Sequence, residues 1–360
     1  MLDLGADLVT LLRALVDVES VSGNERGLAD LVEQAMRGCS HLVVDRDGDA
    51  VVARTRLGRN QRVVIAGHLD TVPVAGNLPS REETVDGQRR VYGRGACDMK
   101  GGVAVQLSLA HALAEPVRDI TWVYYDHEEV EAELNGLNRL ARNRPELLAG
   151  DFAVVMEPTA AGIEAGCQGT LRVAVHCHGR SAHAARSWLG ANAIHAAGQV
   201  LRRLEAYQPR EVDVDGLRYR EGMNAVAIQG GIAGNVIPDH CRVLVNYRFA
   251  PDRDVEAAYA EVARLFEGYQ LELLDRAPGA WPGLNLPVAA DFVAAVGGNP
   301  RPKYGWTDVA RFSAMGIAAV NFGPADPSLA HTDDEYCPVA DLETCRAALQ
   351  RWLTDAGPQK

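Results

Sequence analysis

At 360 residues the chain is longer than one ordinary hydrophobic core and calls for about two domains. Its 47% hydrophobic and 23% charged content is that of a globular protein, and no apolar run approaches the ~20 residues of a bilayer-spanning helix. A formal charge of −12 argues against nucleic acid or an anionic membrane as partner, since both select basic surfaces, and leaves a small molecule as the expected substrate.

The opening stretch MLDLGADLVTLLRALVDVES has no basic n-region and places Leu8, Leu11, Leu12, Leu15 and Val16 at helical spacing. Strand-like apolar runs follow at 42–44 with 50–53, 62–66, 120–125, 152–156 and 317–322, separated by helical segments. That alternation predicts an α/β fold with a mainly parallel sheet covered on both faces. Between about 170 and 278 the pattern changes: LRVAVHCHG, NAVAIQGG and CRVLVNYRFA alternate apolar and polar residues, as antiparallel strands with one solvated face do. Two helical stretches, ANAIHAAGQVLRRLEAY and DRDVEAAYAEVARLFEGY, accompany them. The expected organisation is a first domain over 1–169 and 279–360, interrupted by an inserted α+β domain at 170–278, with PGAWPGLNLP as the return hinge. The seven cysteines are scattered and never spaced as C-x-x-C, so reduced thiols and a cytoplasmic address are expected.

The chemistry lies where the apolar runs stop. VVIAG ends at His68 and Asp70, ITWVYY at Asp126, His127, Glu128 and Glu129, and FAVVM at Glu157. Open α/β sheets bind ligands at the carboxyl ends of their strands, so these groups can converge on one edge. Any one of them alone is more often a solvated loop residue. Two further candidates strengthen the pattern: Asp98 in the glycine-rich turn VYGRGACDMKGG, and His331 in LAHTDDEYCP. In His68-x-Asp70 the aspartate is placed to hold the second ring N–H of a ligating histidine, the alternative being a surface ion pair. Of adjacent Glu128 and Glu129, one can hold a metal while the other faces a water as general base; the alternative is an exposed acidic turn running on through Glu131 and Glu133.

Other chemistries lack their anchors. No G-x-S-x-G and no G-K-[ST] occurs, and GRGACDMKGG lacks the third glycine of a dinucleotide fingerprint. Cys97 reads as a buried filler before it reads as a nucleophile. His176 and His178 share a strand face, either as a metal pair or as a polar sheet surface.

GHLDTVP, GRGACDMKGG, DHEE, MEPT and AHTDDEY follow one another in this order over nearly the whole chain. Together they resemble the five motifs of the M20 family of dinuclear zinc peptidases and deacylases. The segments GCQGTLRVAVHCHGRSAHAA and GMNAVAIQGGIAGNVIPDHCRVLVNYRFAPD are similar to the lid of that family's desuccinylase branch in GC-rich bacteria. The resemblance implies two Zn2+ per chain, with Co2+ or Mn2+ as substitutes. His68, Asp98 and Glu157 would hold one ion, and Asp98, Glu129 and His331 the other. Asp70 would support His68, Glu128 would be the base, and the Asp98–Met99 peptide would be cis.

The family's lid further implies a homodimer in which His183 reaches across to stabilise an oxyanion, while Asn235, Arg248 and Thr307 contact substrate. The implied reaction is hydrolysis of N-succinyl-LL-2,6-diaminopimelate in the route to lysine. Acetylornithine deacetylase, aminoacylase or carboxypeptidase activity are the alternatives within the family, and a zinc-dependent binding protein is the non-enzymatic one. The chain departs from the family pattern at Val130, where many relatives have glycine, at Gln168, where desuccinylases carry a basic residue, and at Val309 in TDVARF.

Overall fold

The computed structural model describes residues 2–355. The backbone divides into two compact units. The first comprises the chain up to Ala165, Pro282–Arg301 and the chain from Arg311 on; the second comprises Gly166–Trp281 and Pro302–Ala310.

The first unit is built on an eight-stranded sheet. Its strands lie in the order Val43–Asp47, Ala50–Arg54, Asp119–Tyr125, Arg62–His68, Phe152–Val155, Ala319–Asn321, Glu164–Ala165 and Arg301–Pro302. The four central strands, Asp119–Tyr125 to Ala319–Asn321, are parallel, and Val43–Asp47, Ala50–Arg54 and Glu164–Ala165 pair antiparallel. Asp119–Tyr125 is buried along its whole length and Arg62–His68 everywhere but Arg62, so neither strand shows alternation. Continuous burial of this kind requires cover on both faces.

The helix Leu8–Val16 turns six apolar side chains inward, and Asp7 caps it by accepting the N–H groups of Val9 and Thr10. The helix Gly101–Ala112 is buried from Gly101 through Ala110, which its glycines and alanines permit by letting backbone approach backbone. A Cβ on Gly102 would stand 2.7 Å from Cβ of Met156. A small antiparallel sheet of Arg81–Val85, Gln88–Tyr92 and Tyr336–Pro338 was not expected from the sequence, where its charged residues mask the strand pattern.

Register carries the sheet's consequence for function. Ala66 lies beside Val123 and Val155, and His68 beside Tyr125. Three neighbouring parallel strands therefore end level with one another, and the residues after them share one edge.

The second unit holds an antiparallel sheet in the order Gly222–Gly230, His240–Phe249, Gly169–His178 and Gln270–Ala277. The helices Ala193–Ala206 and Val255–Leu265 pack on one face, around Leu171, Val173, Val175, Val243, Val245, Tyr247 and Phe249. The strand Gln270–Ala277 escaped the sequence reading because a register shift between Leu273 and Asp275 breaks its alternation.

The boundaries differ from expectation: the inserted unit runs from Gly166 to Trp281, against 170–278 expected. The sequence reading assigned all of 279–360 to the first domain, yet 302–310 packs in the second unit. There Lys303 accepts the N–H of Gln168 and Thr307 accepts the thiol of Cys167, bonds between segments far apart in the chain. Among the described residues no helix is long and apolar enough to cross a membrane.

Candidate metal centre

His68 ends its strand with only 1% of its side chain exposed. Its Nδ1 lies 2.9 Å from the carbonyl oxygen of Asp70, and its Nε2 lies 3.1 Å from Oδ1 of Asp98. Donation from Nδ1–H to that carbonyl turns Nε2 toward the site, so that Nε2 is the nitrogen available to a metal.

The sequence reading gave the second ring N–H of His68 to the Asp70 side chain. In the structure the backbone carbonyl takes it, and the carboxylate stands 3.5 Å away. That carboxylate is occupied elsewhere: Oδ1 accepts the N–H of Glu128 at 2.9 Å, and Oδ2 accepts the N–H of Glu129 at 3.0 Å and the hydroxyl of Ser22 at 2.7 Å. Burial favours protonated Asp70, but His68 and these donors outweigh it and hold the carboxyl at about 2.

Asp98 follows the left-handed Gly95 and precedes a cis peptide to Met99. Its two oxygens face two imidazoles, Oδ1 toward His68 and Oδ2 toward Nε2 of His331 at 3.4 Å. His331 Nε2 also lies 3.1 Å from each oxygen of Glu129. Donor atoms of His68, Asp98 and Glu129 all lie within 4.8 Å of one another, the one such group found among the described residues. Glu157 is buried two residues past the strand Phe152–Val155, at the edge where His68 ends its own strand. Glu128 is half-buried, its backbone pinned by Asp70.

The electrostatics of the cluster follow from its burial and crowding. Glu129 is pushed up to about 7 by burial and then by the charge of Asp98. His331 is raised to about 9, first by its hydrogen bond to Asp98. Burial alone would lower His68 and raise Asp98, but their mutual hydrogen bonds and the neighbouring Asp70 and His331 win, keeping His68 charged and Asp98 ionised. A divalent cation would balance the charge of carboxylates crowded in this way. The donor set of imidazole nitrogens and carboxylate oxygens fits zinc.

Several residues that position this cluster were not singled out from sequence. Glu335 Oε1 accepts the N–H groups of both Cys97 and Asp98 at 3.0 Å, and its Oε2 is paired with Arg94 at 2.8 Å. Glu25 accepts the N–H groups of Gly23 and of His127, the latter held at a positive φ. The Glu335 bonds and the Glu25–His127 bond span distant segments, so no local pattern signals them. Cys97 is buried, donates to the carbonyl of Asp326, and has its thiol pushed far up by burial, which keeps it un-ionised.

The remaining sequence candidates lie in the second unit. His183 is exposed, in the short strand Ala182–His183 that pairs with Val236–Ile237, and its Nδ1 accepts the N–H of Ala185. Asn235 is brought beside it, its carbonyl accepting the N–H of Ala184 at 2.8 Å. Arg248 is half-buried in the sheet between Gly222 and Thr170, and Thr307 is 6% exposed.

The pattern of the peptidase family M20/M25/M40 matches residues 64–355. A relative from Mycobacterium tuberculosis, whose name carries a provisional assignment as succinyl-diaminopimelate desuccinylase, is 54% identical over 98% of this chain and 99% of its own. A succinyl-diaminopimelate desuccinylase from Corynebacterium glutamicum is 47% identical over 98% of each chain. Among solved structures, a tripeptidase from Staphylococcus aureus superposes with a TM-score of 0.80 at 20% identity, covering 98% of each chain. The chain belongs to the peptidase family M20/M25/M40.

Proposed function

We propose that this chain hydrolyses N-succinyl-LL-2,6-diaminopimelate to succinate and LL-2,6-diaminopimelate, in the cytoplasmic route to diaminopimelate and lysine. Family membership makes it a hydrolase of amide bonds. The observation that carries the reading is the convergence of His68, Asp98, Glu129 and His331 at one sheet edge, in a chain about half identical to desuccinylases along its length.

His68, Asp98, Glu129, Glu157 and His331 would hold two zinc ions, Asp98 offering one oxygen to each imidazole side of the site. Bound zinc supplies an activated water near neutral pH and a Lewis acid for the amide carbonyl. Asp70 fixes the Glu128–Glu129 backbone, so that Glu129 faces the donor cluster while Glu128 remains the base. Glu128 takes the proton of the attacking water and delivers it to the leaving amine nitrogen.

Asn235, Arg248 and Thr307 would recognise the substrate's carboxylates and backbone. A guanidinium suits that task because it grips a carboxylate through two parallel hydrogen bonds. His183 would stabilise the oxyanion across a homodimer formed by the second unit. The edge strand Gly222–Gly230 supports this assembly, since it exposes Val226 by 57% and Ile228 by 50% on an edge that another strand can extend.

The test measures succinate release from N-succinyl-LL-2,6-diaminopimelate beside acetate release from N-acetylornithine, before and after chelation. Chelator-sensitive preference for the succinyl substrate is expected. Preference for acetylornithine would reassign the substrate, and activity indifferent to chelation would overturn the metal centre.

A further inference from the structure

The second unit carries another cluster of imidazoles. His176 and His178 stand two residues apart on the strand Gly169–His178 and therefore share a face. His240, the first residue of the adjacent strand, is directly opposite His178 in the antiparallel register. The intervening Val175 and Cys177 pack into the core beneath the helices, so the histidines lie on the other side of the sheet.

Ring centroids are 5.3 Å apart for His176 and His240, 5.5 Å for His178 and His240, and 6.5 Å for His176 and His178. Three imidazoles on one tetrahedral zinc, with Zn–N bonds of ~2.0–2.1 Å, place their centroids about 5 Å apart. The two sides that meet at His240 are close to that size, the His176–His178 side is wider, and the donor nitrogens of all three do not yet lie within 4.8 Å of one another, so His178 must rotate to complete the set.

The ring nitrogens are arranged accordingly. His176 Nδ1 and His240 Nε2 lie 3.0 Å apart, close to the separation of two nitrogens sharing one tetrahedral cation. Without a cation, one proton must sit between them. On its far side His176 Nε2 lies 3.1 Å from Oε2 of Glu272. A ligating histidine characteristically donates its other ring N–H to a carboxylate, which fixes the tautomer and raises the basicity of the ligating nitrogen. His178 Nε2 rests 3.1 Å from Oε1 of Gln270, a neutral partner it can leave by side-chain rotation. Arg242 Nη2 lies 3.8 Å from Glu272 Oε2, on the carboxylate side of the cluster.

We propose that His176, His240 and His178 form a second metal site, oriented by Glu272, for a divalent transition ion of the zinc type. Imidazole donors select zinc, copper and nickel over magnesium or calcium, which prefer oxygen. Ligation replaces the His176–His240 hydrogen bond and leaves the His176–Glu272 bond in place.

The full-length protein is saturated with Zn2+, desalted, and its metal content compared with that of a His176→Asn/His240→Asn double variant. The variant should hold about one equivalent less and keep wild-type amide hydrolysis, and a His178→Asn variant should weaken that same equivalent. Because the readout is the difference between variant and wild type, it is independent of how many ions the site at His68 and Asp98 holds. A second measurement uses the wild type alone: Zn2+, but not Mg2+, should protect His176, His178 and His240 from diethyl pyrocarbonate, read by mass spectrometry. Equal metal content in the folded variant and wild type would overturn the proposal. If the double variant does not fold, absence of zinc protection in the wild type overturns it.

Discussion

Asp70 and Glu129 are joined by a 3.0 Å hydrogen bond from the Glu129 backbone N–H to Asp70 Oδ2. Together with the bond from Glu128 to Oδ1, it makes one buried carboxylate the anchor of both acidic side chains at the site. Asp70→Asn keeps the volume but offers an amide N–H2 to one backbone N–H, setting donor against donor. Metal affinity should fall about 10- to 100-fold with the fold intact, measured by chelator competition. Unchanged affinity would show that the Glu128–Glu129 turn holds without its anchor.

Glu128 is assigned the proton transfer and no metal. Glu128→Gln should lower kcat by about 10²- to 10⁴-fold and leave metal content per chain unchanged, as measured by steady-state kinetics and elemental analysis. A loss of metal in this variant would move Glu128 into the ligand set.

Zinc uptake should release protons. In the metal-free protein the hydrogen bond to Asp98 pushes His331 up to about 9 and burial pushes Glu129 up to about 7, both above their ordinary values. A ligand must be unprotonated, so apparent affinity weakens by about tenfold per pH unit for each proton displaced as pH falls below these values. Calorimetry at pH 8 in two buffers of different ionisation enthalpy should register at least one proton released per chain, from His331 and from the charged His68. The sign for metal-free stability is opposite: the raised His331 pKa contributes fully below about 6.5 and is lost as pH rises through about 9.

Gly102 sits where the buried helix Gly101–Ala112 meets Met156, the residue before Glu157. A methyl group there has no room and forces the helix from the strand end. Gly102→Ala should cost about 1–3 kcal/mol in denaturant unfolding and reduce metal affinity through displacement of Glu157. A variant as stable as wild type would show that the contact yields.

Holding the Asp98 loop depends on Glu335, whose carboxylate is 1% exposed and shared between Arg94 and two backbone N–H groups. Glu335→Ala strands a buried guanidinium and should cost about 3–5 kcal/mol, visible as a lowered thermal midpoint. The loss should persist in the metal-free protein, which separates it from an effect on ligation.

Local pattern was enough for the strands that end in His68 and Tyr125, because a run buried on both faces has no polar residue until the strand stops. It was enough, too, for the change to antiparallel alternation near residue 170, since one solvated face imposes a period of two. The sheet at Arg81–Tyr92 escaped it, because exposed strands carry charge and lose the apolar signal.

The donor types and their order along the chain are sequence properties: ligand chemistry resides in side chains, and the stops between apolar runs are local. The tertiary structure alone decided that a carbonyl, not the Asp70 carboxylate, serves His68, that Glu335 holds Asp98, and that His240 and Glu272 join His176 from 64 and 96 residues away. Those pairings follow from strand register and loop path, which are set by packing across the whole unit and leave no trace in neighbouring residues.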